Sequence, residues 1–157
     1  MAIHEQTGPR RPTSSSRTSQ QSTIRVLVLE DDPDLSEVLA TLLNLEGDFA
    51  MDPCADVASC LQLLRAASRR GGAVPYDVLL LDLHLPGDRS GAEVLEAAGA
   101  DPGLCLPPVV VCTALVQSHI DAYAQLFAAF DARLVRKPFD TDELLAALRV
   151  AARRDAN

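Results

Sequence analysis

The sequence predicts an α/β fold in which five parallel β-strands form an open sheet and five helices cover both of its faces. From residue 24 onward, short apolar runs alternate with longer segments whose apolar residues recur at helical spacing. Two of these runs, 78–81 and 109–112, contain no charged or hydroxyl residue, as expected for central strands buried on both sides. This alternation favours a single domain with a parallel sheet.

The first two strands and the helix between them begin the pattern. Ile24–Leu29 is an apolar run with β-branched residues, so it predicts the first strand. Asp32 and Pro33 begin a helix, because aspartate is a favoured N-cap and proline fits the first helical position. Leucines at helical spacing give this helix an apolar face, and Gly47 ends it. Residues 49–51 form a short second strand.

The middle of the chain supplies two more helices and a strand. Asp56 can cap the second helix, which ends at the Arg-Arg-Gly-Gly stretch of residues 69–72. Residues 78–81 form the third strand. After a polar loop, residues 92–98 form a short third helix. A long connection, residues 99–107, then leads to the fourth strand.

The last third of the chain completes the sheet. Residues 109–112 form the fourth strand, and residues 116–129 are predicted to form one continuous fourth helix. Residues 134–135 form a short fifth strand. Asp140 and Glu143 have the spacing of a capping box, which begins the fifth helix.

Charge and composition separate a tail from the domain. Residues 1–22 are polar and rich in Ser, Thr, Arg and Gln, so they are predicted to be a disordered N-terminal tail. Residues 23–153 form the domain, and residues 154–157 form a C-terminal tail. The net charge is −8, and the first tail alone carries +2, which leaves the remainder near −10. Such an acidic body argues against direct nucleic-acid binding and suits a divalent cation or a basic partner.

The four cysteines argue against a zinc site. No pair has CxxC spacing, and the histidines are scattered, so the cysteines are predicted to be small buried side chains in a reducing compartment. No apolar run approaches the roughly 18 residues of a membrane span, and the N-terminus lacks the apolar core of a secretory signal. These observations predict a cytoplasmic protein without membrane contact.

Polar side chains follow four of the five predicted strands. Glu30 and Asp31 follow the first, Asp82 the third, Thr113 the fourth and Lys137 the fifth. Because the carboxyl ends of parallel strands meet at one edge of the sheet, this edge is where a site is expected. Crowded carboxylates capture a cation, and hard oxygen ligands suit Mg²⁺.

Together these residue types fit phosphoryl chemistry. A carboxylate can act as nucleophile and form an aspartyl-phosphate. A threonine hydroxyl and a lysine ammonium can both stabilise phosphoryl oxygens that gain negative charge. The sequence therefore points to phosphoryl transfer onto an aspartate beside a magnesium ion.

Four segments resemble the signature blocks of response regulator receiver domains, in the order that the family has them. They are VLVLEDDPDL, YDVLLLDLHLPG, VVVCTA and LVRKPF. The resemblance spans about residues 24–153 and implies a flavodoxin-like, doubly wound sheet of strand order 2-1-3-4-5. It also implies a phosphoacceptor signalling domain rather than an enzyme, with only self-directed phosphotransfer and autodephosphorylation.

The resemblance assigns Asp82 as the phosphoacceptor. It implies that Asp31 binds Mg²⁺ directly, that Glu30 acts mostly through metal-bound water, and that Asp82 and the backbone carbonyl of His84 complete the protein ligands. Thr113 takes the place of the hydroxyl residue of the family.

The family lysine falls on Lys137, and receivers usually carry a cis peptide bond at the position of Lys137–Pro138. The sequence departs from the pattern of the family at two places outside the acidic cluster. Leu134 stands where receivers often have an aromatic residue, and the loop after Asp82 is longer than usual before it reaches Gly91.

The expected function is a stand-alone signalling module, because few residues follow Val150. The phosphoryl donor would be a sensor histidine kinase or a histidine phosphotransfer protein. Output would come from binding a downstream protein through the face formed by the fourth helix, fifth strand and fifth helix; a homodimer is left open. One alternative is an adaptor of the same fold that works without phosphorylation, motivated by Leu134. An aspartate-dependent phosphatase or mutase is disfavoured, because His84 stands where such enzymes carry a second acid.

Overall fold

The computed structural model describes residues 22–68 and 74–153, so most of the predicted tails, residues 1–21 and 154–157, lie outside the described residues. The described parts contain five strands and six helices. The strands are β1 Ile24–Leu29, β2 Phe49–Cys54, β3 Val78–Asp82, β4 Val109–Thr113 and β5 Arg133–Arg136. The helices are α1 Pro33–Glu46, α2 Val57–Ser68, α3 Ala92–Ala100, α4 Gln117–Asp121, α5 Ala124–Ala129 and α6 Thr141–Ala152.

All five strands are parallel and lie in the order β2-β1-β3-β4-β5, which confirms the predicted topology. The chain runs from β1 to the edge strand β2 and then crosses back past β1 to β3, so β1 and β3 are the neighbours at which the winding direction reverses. Open α/β sheets form their sites beyond this point, at the carboxyl ends of the strands.

Two apolar cores lie on opposite faces of the sheet, because successive strand residues point to opposite sides. Leu79 and Leu81 of β3 contribute to the core beneath α2 and α3. Val78 and Leu80 contribute to the core beneath α1 and α6. Every residue of β3 is buried, and burying one leucine side chain stabilises a fold by roughly 1.5–3 kcal/mol.

Helix ends form where the local sequence predicts them. The Asp32 carboxylate accepts hydrogen bonds from the amides of Asp34 and Leu35, which confirms it as the N-cap of α1. Gly47 ends α1 with φ of 76°, a left-handed conformation that glycine adopts without strain. The Asp140 carboxylate caps α6 in the same way as Asp32 caps α1.

The predicted helix over residues 116–129 is wrong as a single element, so the prediction of five helices is also wrong. The structure divides it into α4 and α5. The amide of Tyr123 donates to the carbonyl of Ile120, three residues earlier, which tightens the turn. Ile120 is buried, and the Tyr123 ring stacks on Phe127 at a centroid distance of 5.8 Å. A turn closed by this three-residue backbone hydrogen bond therefore separates α4 from α5.

Other boundaries move by one to three residues. β2 extends to Cys54, and α3 extends to Ala100. Cys54, Cys60 and Cys112 are buried as predicted, whereas the prediction is wrong for Cys105, which is exposed on the loop after α3. Among the described helices, none has the length and apolar character needed to cross a bilayer.

Candidate functional site

Three acidic side chains converge beyond the carboxyl ends of β1 and β3. Glu30 and Asp31 follow β1, and Asp82 is the last residue of β3. One carboxylate oxygen from each lies within 4.8 Å of the others. Glu30 and Asp82 are buried and Asp31 is half-buried. The register brings β1 and β3 side by side, so the convergence follows directly from the sheet order.

Lys137 joins this cluster from the end of β5. Its Nζ lies 2.8 Å from Asp82 Oδ2 and 2.9 Å from Glu30 Oε2. Burial disfavours the charged ammonium, but the hydrogen bonds to Asp82 and Glu30 outweigh it and raise the pKa of Lys137. Lys137 is therefore a fixed cation at neutral pH, and it is shared between two of the three acids.

The Lys137–Pro138 peptide bond is cis, as the resemblance predicts. The backbone amide of Lys137 donates to the carbonyl of Thr113 at 2.9 Å. This contact aligns the ends of β4 and β5, which carry the predicted hydroxyl and ammonium groups. Thr113 is fully buried, and its Oγ1 accepts a hydrogen bond from the amide of Leu115 at 3.1 Å.

The two oxygens of Asp82 have different partners. Oδ2 accepts from Lys137, and Oδ1 accepts from the backbone amide of His84 at 2.9 Å. The His84 side chain is exposed at the rim. The metal-ligand role of the His84 carbonyl stays a prediction.

Gly91 packs directly against the backbone of Asp82. A Cβ atom at this position would lie 2.0 Å from the Asp82 carbonyl oxygen, so no side chain fits without movement of the main chain. The loop between Asp82 and Gly91 contains a tight turn. The amide of Leu85 donates to the carbonyl of Arg89, and Gly87 and Asp88 take positive φ at the tip.

The cluster can hold a divalent cation. Three carboxylates offer hard oxygen ligands within one small volume, which is the donor set that Mg²⁺ prefers. Lys137 offsets part of their negative charge and leaves Asp31 without that cation. The site thus combines an acidic metal cradle with an adjacent buried hydroxyl at Thr113.

Residues 26–149 match the family model of the response regulator receiver domain. The chain belongs to this family. It is therefore a receiver domain of the two-component response regulators, a signalling domain, as the four sequence blocks indicated.

Curated relatives of this receiver domain are larger proteins. The chain is 38% identical over 130 residues to the transcriptional regulatory protein KdpE of Mycobacterium tuberculosis. It is 35% identical over 131 residues to the DNA-binding response regulator MtrA of Mycolicibacterium smegmatis. Both alignments cover 83% of this chain and 51% of the relative, so the chain spans about half the length of these relatives.

Solved structures have the same fold. The receiver domain of the Francisella response regulator 1452 gives a TM-score of 0.68 at 21% identity and covers 85% of this chain and 99% of that chain. A sensor protein from Polaromonas sp. JS666 gives a TM-score of 0.66 at 28% identity, covering 83% of this chain and 97% of that one. The flavodoxin-like fold class is therefore confirmed.

Three features of the receiver domain were not predicted from its sequence. They are the Glu30–Lys137 ion pair, the close packing of Gly91 on Asp82, and the contacts of Arg136 with the loop after β4. The glycine at the end of the loop after Asp82 was a sequence signal for the packing of Gly91 on Asp82. The other two depend on side-chain conformation and left no local pattern.

Proposed function

We propose that this receiver domain accepts a phosphoryl group on Asp82 and signals by phosphorylation-dependent binding to a protein partner. The donor is a phosphohistidine of a sensor histidine kinase or a histidine phosphotransfer protein. The observation that carries the proposal is the shared position of Asp82, Lys137, Glu30 and Asp31 at one edge of the sheet.

In the proposed reaction, a carboxylate oxygen of Asp82 attacks the phosphorus atom. A phosphorus–oxygen bond forms while the bond from phosphorus to the donor imidazole nitrogen breaks. The imidazole leaves with that electron pair and takes up a proton from solvent. The ammonium of Lys137, which holds Asp82 Oδ2 at 2.8 Å, keeps the carboxylate oriented and offers positive charge to the phosphoryl oxygens.

Mg²⁺ is the cofactor that the acidic cluster supports best. We propose that Asp31 and Asp82 bind it directly, that the His84 backbone carbonyl adds a ligand, and that Glu30 acts through water. When bound, the ion supplies positive charge at the phosphoryl oxygens. Thr113, as the buried hydroxyl at the end of β4, is the proposed hydrogen-bond donor to the same group.

Acetyl phosphate labelling with Mg²⁺ tests the nucleophile. We expect the wild-type chain to gain the mass of one phosphoryl group and Asp82→Asn to gain none, because an amide oxygen is a far weaker nucleophile. Asp88→Asn is the matched control, since Asp88 is exposed at the tip of the adjacent turn and should label normally. Stoichiometric labelling of a folded Asp82→Asn variant contradicts the assignment.

An adaptor that works without phosphorylation is the second candidate, because Leu134 replaces the aromatic residue often found in the switch. Leu134 is half-buried against the core beneath α2 and α3. A titration with beryllofluoride, a phosphoryl mimic, separates the candidates. Mg²⁺-dependent shifts of amides near Asp82 and β5 support the first, and a silent titration supports the adaptor.

The proposed output surface is the face that combines α4, α5, β5 and α6. Direct nucleic-acid binding by this domain is not part of the proposal, because its net charge is strongly negative. Four free cysteines fit a reducing compartment, which is the support for the cytoplasm as the place of action.

A further inference from the structure

Arg136, the last residue of β5, connects this strand with the loop after β4 and with helix α4. Its Nη1 donates to the backbone carbonyl of Leu115 at 3.0 Å, and its Nη2 donates to the side-chain oxygen of Gln117 in α4. Gln117 in turn donates to Asp121 at 2.6 Å, which extends the chain of contacts along α4. A planar guanidinium can make such a forked contact, whereas a lysine ammonium is a single point of charge.

Leu115 is held through both of its backbone groups. Its amide donates to Thr113 Oγ1, and its carbonyl accepts from Arg136. Thr113 and Arg136 are also direct partners in the register of β4 and β5. The loop of residues 114–116 is therefore tied on one side to the Thr113 hydroxyl and on the other to β5.

Arg136 lies on the same face of the sheet as Leu134, because residues two apart in a strand point to the same side. Leu134 offers only apolar contact there. The polar connection between β5 and α4 is instead made by Arg136, two residues after Leu134 and directly before Lys137. Arg136 thus connects the strand that carries the site lysine with the loop that follows the site hydroxyl.

We propose that Arg136 is a positioning residue that holds the 114–116 loop in the conformation where the Thr113 hydroxyl is bonded to the Leu115 amide. This inference rests on the proposed function. A phosphoryl group on Asp82 draws the Thr113 hydroxyl toward itself, which disturbs the bond to Leu115 and shifts the loop. The two bonds of Arg136 oppose that shift, so the arginine sets the balance between two loop conformations and transmits the change to α4.

Beryllofluoride binding in the presence of Mg²⁺, followed by amide NMR, tests the tether in Arg136→Met. Loss of two exposed hydrogen bonds is expected to raise the apparent affinity for beryllofluoride roughly three- to tenfold. The amides of Leu115, Gln117 and Ile120 in the free variant should move along the line from the free to the loaded wild-type positions. A role limited to stability would change the melting temperature without this displacement.

Arg136→Lys separates bridging from charge. It keeps the positive charge beside Lys137 but cannot make the fork, so it should resemble Arg136→Met in its loop amides. Arg65→Met, which removes an exposed arginine from α2, should match the wild type. The inference is overturned if Arg136→Lys behaves like the wild type in its loop amides. It is also overturned if Arg136→Met binds beryllofluoride no more tightly than the wild type, or if its loop amides do not move. If the wild type itself ignores beryllofluoride, the proposed function fails as well; if only the variants match the wild type, this inference alone fails.

Discussion

Lys137→Met should weaken the fold and strengthen Mg²⁺ binding at the same time. The substitution keeps an apolar stem of similar length but removes a cation that contacts Asp82 and Glu30 at 2.8 and 2.9 Å. These acids are 8% and 6% exposed, so water cannot replace the lost partner well. Breaking a buried ion pair from one side costs up to about 3–5 kcal/mol, and we expect about 3 kcal/mol at this partly open site.

Mg²⁺ should recover part of that loss, because the ion gives the same carboxylates a positive partner. If saturating Mg²⁺ recovers about 1.4 kcal/mol, the thermodynamic cycle requires roughly tenfold tighter Mg²⁺ binding by the variant. The pKa of Lys137 is raised, so its contribution is fully present at neutral pH and is lost only in strongly alkaline solution as the pH rises through that pKa. Measurements at neutral pH therefore capture the whole effect.

The assay is urea unfolding with and without Mg²⁺, together with calorimetric titration of the ion. Arg25→Met is the control, because it breaks an ion pair with Asp52 in which both side chains are nearly half exposed. That variant should lose at most about 1 kcal/mol, equally in both conditions. Equal destabilisation of Lys137→Met with and without Mg²⁺, and an unchanged affinity for the ion, would refute the reasoning.

Two further predictions concern packing and thiol chemistry. Gly91→Ala should destabilise the domain by roughly 1–3 kcal/mol in urea unfolding, because its Cβ would overlap the Asp82 carbonyl oxygen. Gly99→Ala, inside helix α3 and with open space around it, should instead be neutral or stabilising by up to about 1 kcal/mol, and similar losses in both variants would contradict this explanation. In the folded protein, a thiol reagent should modify Cys105 first, since it is the exposed cysteine. Burial raises the pKa of Cys112 to about 12, so equal rates for Cys105 and Cys112 would contradict the described burial.

The sheet and its acidic cluster could be predicted because they depend on short patterns and on topology. Unbroken apolar runs predicted β3 and β4, and Asp32 and Gly47 predicted the ends of α1. Because the carboxyl ends of parallel strands meet at one edge of the sheet, Asp82 was expected to lie near Asp31. The division of α4 from α5 had no glycine or proline to announce it. It appears only in the structure, as a turn in which the amide of Tyr123 donates to the carbonyl of Ile120.

Side-chain contacts between residues far apart in sequence could not be predicted either. The Glu30–Lys137 pair joins residues 107 positions apart, and the Arg136–Gln117 contact joins residues 19 positions apart. Both require particular side-chain conformations as well as the correct sheet order. Exposure of Cys105 likewise depends on the path of the loop after α3, for which composition is a poor guide.

The turn formed by Leu85 and Arg89 has a consequence for how this domain can be modified. Gly87 and Asp88 form the tip of this turn, while Gly91 returns the chain to its contact with Asp82. A reporter peptide grafted at this tip is therefore expected to leave the backbone around Asp82 in place. The length of this turn and the position of the Asp82 carboxylate are in this way separate features of the chain.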